Sequence, residues 1–187
     1  CGEPRSALGY SFVAPLAILS KLGLLQDKKT DLAEAVDVMR DLALALAPEV
    51  LQARNMAKIT AVSLHNKVPV IYGAEFLVKA ARRWKTQFNE NSKTWAFYEA
   101  ISELNHNSIE GYSIPGNAGD QLYVILLHSR FLDSRISVRY DITEAMLGEN
   151  GITYKRFEAV GDTPLAHLLT TIMLGDYVSY YLSILHE

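Results

Sequence analysis

The sequence predicts an α/β fold built on a mostly parallel sheet, and three observations carry that prediction. Short runs rich in β-branched, apolar and aromatic residues occur at 68–72, 122–127 and 152–160. Longer stretches of helical period separate them, and there is no internal repeat or low-complexity linker. Strands separated by helices call for crossover connections, which pair strands in parallel and lay helices on the sheet faces.

The elements follow in order. Residues 6–24 are apolar on most sides, which predicts a largely buried helix or helix pair closed by Gly23. Thr30 and Asp31 are candidate caps for a helix in which Leu32, Val36, Met39 and Ala43 recur at helical spacing. Pro48 ends that helix or opens the next, which carries Val50, Ala53, Ala57 and Ala61. The run VPVIY (68–72), closed by Gly73, reads as a buried strand. Helices are predicted over about 75–88 and 93–104. LYVILL (122–127) lacks polar alternation, as a strand covered on both faces requires. A helix ends over 142–147, and 152–160 reads as a third strand. Asp162 and Thr163 cap the last helix, with Pro164 at its first position.

Bulk properties narrow the function classes. The 187 residues suffice for one domain with a core. Their 49% hydrophobic and 21% charged residues are ordinary for a globular chain. A net charge of −3 argues against nucleic-acid binding, which needs a basic face. It leaves open a small anionic substrate held by a few local cations. One cysteine, Cys1, excludes an internal disulfide and a cysteine metal cluster. A cytoplasmic setting is therefore expected. A first-residue cysteine also fits a processed lipoprotein, but the residues after it read as part of a folded site rather than a polar tether. The absence of an initiator Met leads us to expect more of the gene product upstream. No apolar run reaches membrane-span length; 165–185 is interrupted by His167 and Asp176. No membrane partner is expected.

The densest polar cluster lies between Arg82 and Tyr112. Two asparagine pairs each flank one ionisable residue there: Asn89-Glu90-Asn91 and Asn105-His106-Asn107. Asparagine is a poor helix former, and its amide can orient a carboxylate or an imidazole. A carboxylate and a histidine form a candidate acid/base pair. The same motifs also suit a helix terminus and a solvated turn, and the residues alone leave both readings open. Arg82-Arg83-Trp84-Lys85 reads as a solvated helix face with Trp84 turned inward. Glu103 lies one turn before His106 and either orients it or is solvated. His65, His128 and His167 have no metal-ligand spacing. His128 stands out only for its place at the carboxyl end of a strand, where such sheets bind ligands. Tyr177, Tyr180 and Tyr181 read as core and interface aromatics.

Several stretches together resemble the C-terminal half of bacterial and archaeal bifunctional phosphoglucose/phosphomannose isomerases. They are GEPRSALGY (2–10), NMAK (55–58), VPVIYG (68–73), RWKTQFNENSK (83–93), ELNHNSIEGY (103–112) and LGDYVSYYL (174–182), in the family's order. The resemblance implies an SIS-type, flavodoxin-like three-layer sandwich. It implies interconversion of glucose 6-phosphate, and of mannose 6-phosphate, with fructose 6-phosphate, without a metal or cofactor. In that resemblance Glu90 takes the place of the catalytic base, His106 of a ring-opening histidine supplied across a homodimer, and Arg5 of the arginine that stabilises an enediolate. Asn105 and Asn107 are expected at the substrate. The expected division is a helical segment, 1–30, leading from an absent N-terminal SIS lobe, then a C-terminal SIS domain, 31–187, incomplete at its end. The family's phosphate loop, its C-terminal lysine and a threonine tied to phosphomannose activity have no counterpart in these residues. The 187 residues alone are therefore expected to be inactive or nearly so, because remote phosphate contacts support chemistry at the reacting carbons. A non-catalytic sugar-phosphate sensor of the same fold is the alternative, with a purely structural lobe as a third reading.

Overall fold

The computed structural model describes residues 3–186; Cys1, with the lipoprotein reading that rests on it, and Gly2, the first residue of the matching stretch 2–10, lie outside it, as does Glu187. In chain order the elements are α1 (Leu8–Lys21), α2 (Lys29–Ala45), α3 (Met56–Leu64), β1 (Val68–Gly73), α4 (Leu77–Glu90), β2 (Phe97–Ala100), α5 (Ile101–Leu104), α6 (Ala118–Gln121), β3 (Leu122–His128), α7 (Ser134–Glu149), β4 (Thr153–Glu158) and α8 (Pro164–Ile184). Short 3-10 turns lie at Pro4–Ser6, Gln52–Arg54 and Ser108–Gly111.

The four strands form one parallel sheet in the order β2-β1-β3-β4. Successive side chains in a strand point to opposite faces, and the two cores follow that alternation. Ile71, Tyr123, Ile125 and Leu127 enter one core with α3, α4 and α8. Val70, Tyr72, Val124 and Leu126 enter the other with α5 and α7. The chain moves outward one way from β1 to β2 and the other way from β3 to β4. Right-handed crossovers then put α4 and α7 on opposite faces, as the two cores record. A helix layer on each side of a parallel sheet is the three-layer α/β sandwich expected from the sequence. Gly73 lets α4 start close to β1: a Cβ there would lie 2.6 Å from the Leu77 carbonyl oxygen.

Some elements differ from expectation. Residues 93–104 hold a strand and one helical turn instead of a helix. Trp95, Phe97 and Tyr98 suit a pleated surface better than a helix, and β2 finds an open edge on β1. No residue of α1 is buried, against the expected buried helix. Its inner side, with Phe12 and Leu16 half-buried, lies along α2 and α8, and its outer side leaves Tyr10 and Ile18 exposed. α2 starts at Lys29, ahead of the expected caps Thr30 and Asp31; its N-cap Lys28 makes no side-chain cap bond, and the Lys29 N–H donates instead to Asp27 Oδ1 at 3.0 Å. Side chains cap the starts of α3 and α8. Asn55 accepts from the N–H groups of Ala57 and Lys58, and Thr163 accepts from Ala166 with Pro164 at the first helical position. Among the described residues no helix is long and apolar enough to cross a membrane.

Candidate functional site

Glu90 is the last residue of α4, where the poor helix former Asn91 ends the helix. The flanking asparagines do not orient its carboxylate. Asn89 donates to the Thr94 carbonyl at 2.8 Å, and Asn91 donates to Ser179 Oγ on α8 at 2.9 Å. Lys93, at positive φ, donates to the Glu90 carbonyl at 2.7 Å. These bonds fix the backbone and leave the Glu90 carboxylate half-exposed, with Arg5 Nη1 3.8 Å from its Oε2. Arg5 also pairs with Glu3 at 3.1 Å. The N-terminal turn and the end of α4, far apart in the chain, thus bring two of the sequence-predicted site residues together.

Beneath this pair lies a group that the sequence reading missed. Arg83, read as part of a solvated helix face, is largely buried. Its Nη2 donates to the Arg5 carbonyl at 2.9 Å and toward Asp176 Oδ2 at 3.4 Å. Its Nε is buried with no hydrogen-bond partner among the described residues. Gln87, buried one turn later on α4, donates to the other Asp176 oxygen at 2.6 Å. Burial pushes the Asp176 carboxyl up, while Arg83 and Gln87 pull it down. The signal was present in the sequence: an isolated acid inside the apolar run 165–185 needs a partner when buried.

His106 lies elsewhere. It follows α5, on the face of the sheet opposite α4, and is exposed. One chain therefore does not unite Glu90 with His106. Glu103 does not orient the imidazole; it accepts from Asn107 Nδ2 at 2.7 Å. Asn107 Oδ1 accepts from the Ser108 N–H at 2.6 Å. Asn105 donates to Thr143 on α7 at 2.9 Å and accepts from Arg139 at 3.5 Å. Both asparagines, expected at the substrate, spend these bonds on shaping the turn that presents His106.

The carboxyl ends of the strands, where such sheets bind ligands, are acidic. Glu75 accepts from the Asp133 N–H at 3.0 Å, and His128 pairs with Glu158 at 2.7 Å. Arg130 borders the groove of about 690 Å³ between α2 and the β4–α8 connection, and Asp162 holds it at 2.8 Å. Four carboxylates around these ends oppose a phosphate. His167 is buried and fully engaged: its Nε2–H donates to the Gly161 carbonyl at 3.0 Å, and its Nδ1 accepts from Ser129 Oγ at 2.7 Å. Burial pushes its pKa down. Among the described residues no three His, Cys, Asp or Glu side chains gather where they could hold a metal ion.

The parallel sheet with helix layers on both faces is a three-layer α/β sandwich, the architecture of SIS domains. A glucose-6-phosphate isomerase-like protein from Thermus thermophilus superposes with a TM-score of 0.69 at 18% identity, over 90% of this chain and 53% of that one. That likeness concerns the fold. The family model of the bacterial phospho-glucose isomerase C-terminal SIS domain matches residues 53–187, and the chain belongs to this family. A bifunctional phosphoglucose/phosphomannose isomerase from Caldicellulosiruptor bescii is 38% identical over 99% of this chain and 55% of its own length. One from Thermoplasma acidophilum is 33% identical over 97% of this chain and 53% of its own. The chain spans about half the length of the curated relatives it matches.

Proposed function

We propose that these residues form the C-terminal half of an aldose–ketose isomerase that interconverts glucose 6-phosphate, and mannose 6-phosphate, with fructose 6-phosphate. The observation that carries this reading is the carboxylate of Glu90 standing unclaimed by its flanking asparagines, 3.8 Å from the guanidinium of Arg5. Glu90 takes the C2 proton of the open-chain aldose, and the electron pair moves through C1 onto O1. The fixed guanidinium of Arg5 stabilises that charge as it develops. Glu90 then returns the proton to C1 while the O2 hydroxyl proton passes to O1, leaving the ketone at C2. Re-protonation at C2 on the other face, after rotation about C2–C3, gives the epimeric aldose. One carboxylate thus serves both substrates. No cofactor enters these steps.

His106 opens the sugar ring at the site of a second copy of the chain. Its place on the face opposite Glu90 suits donation across a homodimer better than action within one chain. The acidic strand ends suit a phosphate bound by a separate N-terminal lobe, from which residues 1–30 lead into the SIS domain of 31–187. The setting is cytoplasmic, with neither nucleic acid nor membrane as a partner.

Mixing two dead variants of the full-length gene product tests the shared site. Glu90→Gln and His106→Gln dimers are each expected to be inactive. After co-refolding, half the dimers are mixed, and each carries one intact site, so about a quarter of wild-type activity returns. No recovery in verified mixed dimers contradicts a site shared between subunits.

A further inference from the structure

We infer that Arg83, set against Asp176, is a positioning residue that holds Arg5 at the reacting oxygen. The inference rests on the isomerase reading and deepens it. Arg5 sits in a turn of three residues, and the Ser6 N–H bonds back only to the Glu3 carbonyl. Such a turn is too short to fix a guanidinium by itself. Among the described residues, the one side chain from elsewhere in the chain that bonds the backbone of this turn is Arg83, through the Arg5 carbonyl at 2.9 Å. Arg83 is in turn braced by α8, where Asp176 accepts from it at 3.4 Å and from Gln87 at 2.6 Å. Glu90 rides on the same helix as Arg83 and Gln87, two turns beyond Arg83. One rigid helix therefore carries the base and also the strut that sets the position of the charge stabiliser.

Two details favour positioning over packing. The Arg83 guanidinium is not well satisfied: its buried Nε lacks a partner among the described residues, which costs stability that an apolar side chain would not. Its shortest bond goes to a main-chain oxygen, with the acid it pairs farther off, so the ion pair with Asp176 is not its whole task. A bond that spans 78 residues to a single carbonyl has its clearest purpose in the geometry of the residue that owns that carbonyl. Misplacing a reacting group by about 1 Å costs on the order of a hundredfold in rate. Removing the strut should therefore lower kcat and leave the phosphate-dominated KM nearly unchanged.

The test is a double-mutant cycle in the full-length gene product, with kcat and KM for fructose 6-phosphate measured on variants whose melting and circular dichroism match wild type. Arg83→Gln is expected to lower kcat by about ten- to a hundredfold, with KM within about threefold. In an Arg5→Ala background the same change should cost less than about twofold, because the strut then has nothing to hold. An unchanged kcat in Arg83→Gln overturns the inference. So does a loss that multiplies undiminished onto Arg5→Ala, since a merely structural residue behaves that way. If Arg83→Gln does not fold, Asp176→Asn, which keeps the shape, removes the charge and turns one of the two acceptor oxygens into a donor, enters the same cycle with the same expected coupling to Arg5. Inactivity of the wild type sinks the isomerase reading and this one with it; an active wild type with an uncoupled Arg83 sinks this one alone.

Discussion

Replacing Gly175 with alanine tests how closely α4 and α8, the two helices that carry Glu90, Arg83 and Asp176, must approach. A Cβ on Gly175 would lie 2.6 Å from Trp84 Cδ1 and nearer still to the indole nitrogen. The indole cannot retreat. It is 1% exposed, its ring meets Phe88 and Phe157 at centroid distances of 6.1 and 5.9 Å, and its N–H donates to the Thr171 carbonyl at 2.8 Å. Overpacking a filled core costs about 1–3 kcal/mol, and loosening a buried N–H from its acceptor costs about 1 kcal/mol more. Against this, alanine gains about 0.8–1.0 kcal/mol of helix propensity over glycine. The balance is a loss of about 2 kcal/mol. With a urea slope of about 2 kcal/mol per molar, the unfolding midpoint should fall by about 1 M. Trp84 is its own reporter, because the second tryptophan, Trp95, is 72% exposed and its emission changes little on unfolding. A midpoint equal to or above wild type would show that propensity wins and that this contact does not set the spacing of the helices.

Two further outcomes are expected. Asn55 is fully buried, accepts two N–H groups at the start of α3 and donates to the Ala47 carbonyl at 3.2 Å, so Asn55→Ala should cost about 2 kcal/mol in the same denaturation experiment. His167 is held neutral by burial, with its pKa pushed below the ordinary 6.5. Below pH 6.5 the unfolded chain therefore takes up a proton that the folded chain refuses, and stability falls as pH drops through that window. The decline should be shallower in His167→Gln, by up to about 1.4 kcal/mol per pH unit, when the two stability–pH curves are compared.

The sheet was legible because a parallel, doubly covered strand has an unmistakable composition: 68–72 and 122–127 carry hardly a polar side chain. β2 was not, because four residues at an edge, with exposed Phe97 and Tyr98, show neither alternation nor a continuous apolar run. The burial of α1 was misjudged for a different reason. Apolar residues on all sides of a helix state that something must cover it, but not that the cover belongs to the same chain segment. The motif asparagines drew attention to Glu90 and His106, yet they act on backbone and neighbouring helices rather than on those side chains. Arg83 was invisible among Arg82 and Lys85, since local charge density says nothing about which of three cations turns inward. Asp176 in its apolar run signals that a partner exists, and only the fold, which packs α8 against α4, shows that the partner is Arg83.

The most direct test of the central claim is conversion of fructose 6-phosphate to glucose 6-phosphate by the full-length gene product, wild type beside Glu90→Gln. The substituted amide keeps the shape and removes the proton acceptor, so the wild type should turn over and the variant should lose on the order of a thousandfold or more in kcat. Equal activity in the two would remove Glu90 as the base. Inactivity in both, with intact folding and bound sugar phosphate, would make this an SIS module that binds its ligand without transforming it.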